Sequence, residues 1–178
     1  DQDLSAAGGG NFPLRLTGGF TVFNTNAGLR QVNRAITARL NAYRKDWQGV
    51  LTALEASFMD LNGDLNAGPR HPFGAPPDVF NPLYYVPNAI VNTMIVVHPS
   101  VIRDATPGDL RVANKFLQRT VAPVTVSTDF GTLEGRFQDR RWPLNTSAIP
   151  FIRNEELILL KAEAHANLGQ TTEAVQAI

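Results

Sequence analysis

Apolar residues recur at helical steps in two stretches of the chain. From Leu29 through Val32, Ile36, Leu40 and Tyr43 the intervals are three, four, four and three, while Arg30, Arg34, Arg39 and Arg44 occupy other faces. This predicts a helix that starts in the cluster Asn24, Thr25 and Asn26. Residues 43–46 make a turn, and Trp47, Val50, Leu51, Leu54 and Phe58 then mark one side of a second helix. Near the C-terminal end Leu157, Leu160, Ala164 and Leu168 repeat the pattern. Asn154 is placed to cap that helix, Glu155 and Glu156 set negative charge on its first turn, and Gly169 follows as a left-handed stop. Thr171 then starts a helix with Ala174, Val175 and Ile178. Two helix hairpins, 24–58 and 151–178, are therefore expected at either side of a segment 59–150.

In that segment the helical period fades. LNGDLNAGPRHPFGAPPDVFNPLYYVPN is rich in Gly, Pro, Asn and Asp and reads as a loop, with Phe73, Phe80, Tyr84 and Tyr85 scattered through it. The run AIVNTMIVV suits a buried strand or a short helix equally. HPSVIR and GDLRVANKFLQR predict short helices, and VAPVTVSTDFGTLEGRFQDRRW alternates weakly, as an irregular hairpin does. Before residue 24 the chain is Gly-rich, with at most a short extended piece in FPLRLTGGFTVF.

Composition narrows the function classes. The 178 residues fit one domain or part of one, and no apolar run is long enough to span a membrane. Sixteen basic and sixteen acidic residues cancel, which argues against a phosphate-neutralising surface for nucleic acid. There is no cysteine, so disulfides and thiolate chemistry are excluded. Twelve prolines and fourteen glycines predict long shaped loops.

Catalytic and metal signatures are weak. Asp60, Asn62 and Asp64 imitate the start of a calcium loop, but Leu65 stands where the loop needs Gly and His71 where it needs Glu, so a polar turn is the reading. His71, His98 and His165 are far apart and none has a partner one helical turn away. No nucleophile elbow or phosphate loop is present, and the carboxylate pairs fit helix starts. Neither a catalytic residue, a cofactor nor a metal site is expected. What remains is a surplus of loop aromatics, Phe73, Phe80, Tyr84, Tyr85 and Trp142, interleaved with Arg70, His71, Asp78, Arg140 and Arg141. Flat aromatic faces cover the C–H faces of sugar rings while polar neighbours bond the hydroxyls. The candidate ligand-binding residues are Trp142, Tyr84, Tyr85, Phe80 and Arg70. The plain alternative is that these rings anchor a long loop to its own scaffold.

Two resemblances extend this reading. The step from Gly169 to Ala174 resembles a tetratricopeptide unit, and aligning Lys45 with Gly169 puts Val50 opposite Ala174 and Ala38 opposite Ala162. Further, PFIRNEELILLKAEAHANLGQTTEAVQAI is similar to the C-terminal helix pair of SusD/RagB outer-membrane nutrient-binding proteins. AITARLNAYRKDWQGVLTALEAS resembles that family's middle helix pair, and HPSVIRDATPGDLRVANKF, with Asp109 and Arg111, resembles its D-x-R stretch.

The resemblance implies a mostly α fold: tetratricopeptide-like hairpins as scaffold, with a large irregular loop-rich insertion carrying little β. Residues 1–178 would form a single, partial SusD-like domain, an internal-to-C-terminal fragment. It further implies a non-enzymatic protein of the outer membrane of Bacteroidetes-type bacteria, facing outward on an N-terminal lipid anchor absent from this chain. Such a protein captures glycans or peptides for a partner TonB-dependent transporter of the SusC type. A second class of function is a tetratricopeptide-type scaffold that binds protein partners, which requires contiguous repeats.

Overall fold

The computed structural model describes residues 2–8, 14, 16–90 and 94–178. It divides into two compact units: Asp1–Pro72 together with Ile149–Ile178, and Phe73–Ala148.

The first unit is helical. A short helix α1 (Gln2–Ala6) and a 3-10 turn (Gly18–Phe23) precede α2 (Asn26–Tyr43) and α3 (Trp47–Glu55), and α6 (Asn154–Asn167) and α7 (Thr171–Gln176) complete it. Thr25 caps α2, its hydroxyl accepting from the Gly28 N–H at 2.9 Å. The core joins Ala35 and Ala38 of α2, Val50, Ala53 and Leu54 of α3, and Leu157 and Ala164 of α6, with Ile152 just ahead of α6.

The face that α2 buries is not the one its largest apolar residues mark. Ile36, Leu40 and Tyr43 are 48%, 45% and 80% exposed, whereas Val32, Ala35 and Ala38 are buried. Alanines bring the helix axes close, and close packing along a small-residue seam outweighs burial of a few bulky side chains there. The start of α6 also differs from expectation. Asn154 does not cap it: the cap position is Arg153, without a side-chain bond. The first-turn N–H groups of Asn154 and Glu155 instead donate to the carbonyls of Ala67 (2.8 Å) and Leu65 (3.0 Å). The buried Asn154 side chain accepts from the Asp60 N–H at 2.9 Å and donates to the Asp60 carbonyl at 2.6 Å, clamping the polar turn. In that turn Asp60 and Asp64 accept the N–H groups of Asn62 and Asn66, both at 2.9 Å, so these carboxylates shape the backbone.

Both hairpin turns close alike. Gly169 has φ 76°; its N–H donates to the Ala166 carbonyl (3.1 Å), and that of Gln170 to the His165 carbonyl (2.9 Å). Lys45 has φ 60°, and its N–H and that of Asp46 donate to Ala42 and Asn41, each at 2.9 Å. Arg39 of α2 grips Glu156 of α6 through Nε (2.6 Å) and Nη2 (2.7 Å), and Nη2 also reaches the Phe151 carbonyl at 2.8 Å. Strands β1 (Arg70–His71) and β6 (Ile149–Pro150) pair antiparallel, Arg70 opposite Pro150, where the chain leaves the helical unit and returns to it. Gly68 is needed beside them: its φ is 145°, and a Cβ there would strike the Ile152 carbonyl.

The second unit overturns the expected fold class. The described residues are 41% helix and 13% strand, with short antiparallel strand pairs, and the fold is therefore mixed α/β rather than a mostly α scaffold of tetratricopeptide-like hairpins. Two short helices, α4 (Pro99–Arg103) and α5 (Leu110–Lys115), accompany strands β2 (Phe116–Gln118), β3 (Val124–Thr128), β4 (Gly131–Gly135) and β5 (Phe137–Asp139). The physical reason is local. Prolines and glycines cut every helix here to under two turns, and the β-branched run Val124, Thr125, Val126 and Thr128 favours extension. β3 and β4 form a five-rung ribbon closed by Asp129 and Phe130, and β2 pairs with β5 from Phe116 opposite Asp139 to Gln118 opposite Phe137. Of the undecided run AIVNTMIVV, residues 91–93 lie outside the described residues; Val96 makes an isolated bridge to Gln138. The expected short extended piece in FPLRLTGGFTVF falls partly outside them too, and its later part is the 3-10 turn.

Candidate functional site

Gln138, at the middle of β5, organises the site. Its side chain is buried, and its amide donates to the carbonyls of Tyr85 (3.0 Å) and Val86 (2.9 Å) while accepting from the Asn88 N–H (3.0 Å). Backbone partners leave no ambiguity about which end of the amide is which, and the bonds satisfy both ends of the buried amide. Asn88 sits at φ 60° and takes the Thr120 N–H at 2.9 Å. Buried Asn81 fixes the other end of the aromatic loop: its amide donates to the Ser147 carbonyl (2.7 Å) and accepts from the Leu83 N–H (2.8 Å).

These ties hold Tyr84, Tyr85 and Pro87 against β5 and the residues that follow it. Together with Leu117, Gln138, Asp139, Arg140, Trp142 and Pro143 they enclose a cavity of about 220 Å³. Asp139 accepts the Arg141 N–H at 2.9 Å and both Nε (2.9 Å to Oδ2) and Nη2 (2.6 Å) of the same residue. Burial would raise the Asp139 carboxyl, but the Arg141 guanidinium and N–H outweigh it and hold it below the usual carboxylate range. The same guanidinium lies 5.9 Å from the centre of the Trp142 ring, a cation–π contact that orients the indole. The Trp142 Nε1–H is buried and has no hydrogen-bond partner among the described residues.

Three of the five sequence-chosen residues, Tyr84, Tyr85 and Trp142, thus line one cavity. Phe80 is 46% exposed and is not among its lining residues, and Arg70 belongs to the first unit, where its guanidinium donates to the Asn66 carbonyl at 3.0 Å. Gln138 and Asp139 were not legible as site residues. No periodicity or spacing marks a lone strand glutamine, although the D-x-R spacing of Asp139 and Arg141 was a usable signal. Asp109 and Arg111 show what that spacing does: the carboxylate takes the N–H of Arg111 (2.9 Å) and its guanidinium (2.7 Å) at the start of α5. It is a self-neutralising turn in both places.

A larger cavity of about 520 Å³ runs beside α4 and β4, lined by Val97, Ile102, Leu133 and Phe137 with Arg103 and Arg136. Its arginines are closed, Arg103 on Asp104 and Arg136 on Glu134, so it offers apolar surface without convergent polar groups. The smaller cavity combines three aromatic side chains with polar atoms, as ligand sites do, and is the stronger candidate. Among the described residues no group of three His, Asp or Glu side chains is placed to hold a metal ion. No helix among them is long and apolar enough to cross a membrane.

No protein-family model matches the chain, no curated protein is similar to it, and no solved structure matches it. None of these comparisons identifies a SusD/RagB family, so that expectation rests on the residue motifs alone.

Proposed function

We propose that this chain is part of a SusD/RagB-type outer-membrane nutrient-binding protein, which captures glycan for a TonB-dependent transporter and does no chemistry on it. The observation that carries the reading is the convergence of Tyr84, Tyr85 and Trp142 on one cavity with Asp139 and Arg140 at its wall. Aromatic faces and a few fixed polar groups are what a sugar ring needs for binding. A non-catalytic role agrees with the state of the cavity's carboxylate. Asp139 is held ionised by Arg141 and is therefore unsuited to protonating a leaving group, which requires a raised pKa.

Calorimetric titration of the chain with a panel of oligosaccharides tests the reading. Binding is expected to quench Trp fluorescence, and Trp142→Ala is expected to weaken it by about tenfold, the stacking of one ring being worth about 1–2 kcal/mol. Absence of binding to every oligosaccharide, or binding indifferent to Trp142→Ala, overturns it. The anchor is tested separately by reading the coding sequence upstream of residue 1 for a lipoprotein signal ending in cysteine.

A further inference from the structure

The charge balance of the second unit selects among glycans, given that the aromatic cavity binds sugar as proposed. Six arginines lie between Phe73 and Ala148. Arg103, Arg111, Arg136 and Arg141 are each paired with an acid one or two positions away in sequence. Arg119 is buried on carbonyl oxygens, reaching Ala89 at 3.0 Å. Arg140 alone of the six has a guanidinium with neither an ion pair nor a hydrogen bond among the described residues, and Arg140 lines the aromatic cavity. Its own N–H is bonded to the Lys115 carbonyl at 3.0 Å, which ties the backbone of Arg140 to the end of α5. The acid nearest in sequence, Asp139, is spent on Arg141 through two guanidinium nitrogens and an N–H, so it contributes little repulsion to an incoming anion.

We propose that the cavity receives a carboxylated sugar, one uronic acid unit of an oligosaccharide, with its ring against Tyr84, Tyr85 and Trp142 and its carboxylate paired with Arg140. The size agrees. A cavity of about 220 Å³ lies below the ~300–1,000 Å³ of sites for larger ligands, so it takes one ring of a chain whose remainder stays outside. Guanidinium and carboxylate match as two parallel hydrogen bonds, a match that a neutral sugar lacks. An acidic peptide side chain satisfies Arg140 equally but makes no use of the three aromatic side chains that line the cavity, which favours the sugar.

The experiment is calorimetry on the 178-residue chain at low ionic strength with trigalacturonate, its trimethyl ester and triglutamate. The ester keeps the rings and removes the charge. Trigalacturonate is expected to bind about tenfold tighter than the ester, the worth of one charge-assisted pair. The difference is expected to shrink with added salt and to vanish in Arg140→Gln, while Arg140→Lys restores part of it. Circular dichroism shows that each variant is folded. Ester and acid binding alike, or a preference that survives Arg140→Gln, overturns the acidic-sugar assignment and leaves glycan binding standing. Tighter binding of triglutamate than of trigalacturonate overturns it in favour of peptide. If none of the three binds and the wider oligosaccharide panel is also silent, both readings fall.

Discussion

Asp139 shows how one side chain serves two neighbours. Its carboxylate closes the turn to Arg141, and that guanidinium in turn packs on Trp142. Because the folded carboxyl lies below its usual range, the stabilisation it brings is complete above the ordinary aspartate pKa and is lost as pH falls through the folded value. The Trp142 environment is therefore expected to stay constant from neutral pH down through the ordinary carboxylate range and to change only in stronger acid. Carbon-13 NMR titration of the Asp139 carboxyl measures this, and titration at or above the ordinary value contradicts it. Lys45 offers a second test. A side-chain-bearing residue at φ 60° is strained where Gly169 is relaxed. Lys45→Gly is expected to raise stability by about 0.5–1 kcal/mol, and Gly169→Ala to lower it by about 1 kcal/mol, in denaturant titrations. That both positions close hairpins was legible from their spacing. That one of them pays a backbone penalty was not, since a lysine in a turn looks like any solvated residue.

At the scale of elements, periodicity located the helices and misassigned a face. For α3 the bulky residues and the buried ones coincide at Val50 and Leu54. In α2 they part company, because hydrophobic weight favours Ile36, Leu40 and Tyr43 while packing distance favours Ala35 and Ala38. Alanine contributes little to an apolar pattern yet decides how near two helices come. Ala38→Leu is accordingly expected to cost about 1–3 kcal/mol by overpacking, and Ile36→Ser under about 0.5 kcal/mol. Thermal unfolding of the two variants checks the order, and a larger loss in Ile36→Ser places the buried seam on the other face. The strands were harder to read. Two- and three-residue pairings such as β1 with β6 and β2 with β5 are too short to display alternation, and their register depends on partners far along the chain. Only the β3–β4 ribbon, whose rungs are local, left a trace in the sequence as a weak hairpin.

In the whole molecule, the helical unit is assembled from two separated stretches of chain, and the aromatic cavity lies entirely within the stretch between them. The candidate site was legible in part for the same reason. Tyr84 and Tyr85 are adjacent, and Trp142 stands out by type, but their meeting depends on Gln138, a residue of no evident promise that reaches back across the unit to the aromatic loop. Removing its amide tests that dependence: Gln138→Leu leaves the Asn88 N–H and two carbonyls without their partner and is expected to cost about 2–4 kcal/mol while weakening sugar binding. Unchanged binding in that variant detaches the cavity from its organiser.

The rung between β1 and β6 has a consequence for synthesis. Ile152, Leu157 and Ala164 complete the helical core, yet they emerge from the ribosome after every residue of the cavity-bearing unit. Until then Val50, Leu54 and Ala35 have no lid, and a nascent chain stalled at residue 148 presents them bare. Chaperone occupancy and protease sensitivity of residues 26–55 should therefore persist while residues 73–148 are made and disappear together once residues 149–178 have emerged, a timetable that helices contiguous in the chain would not impose.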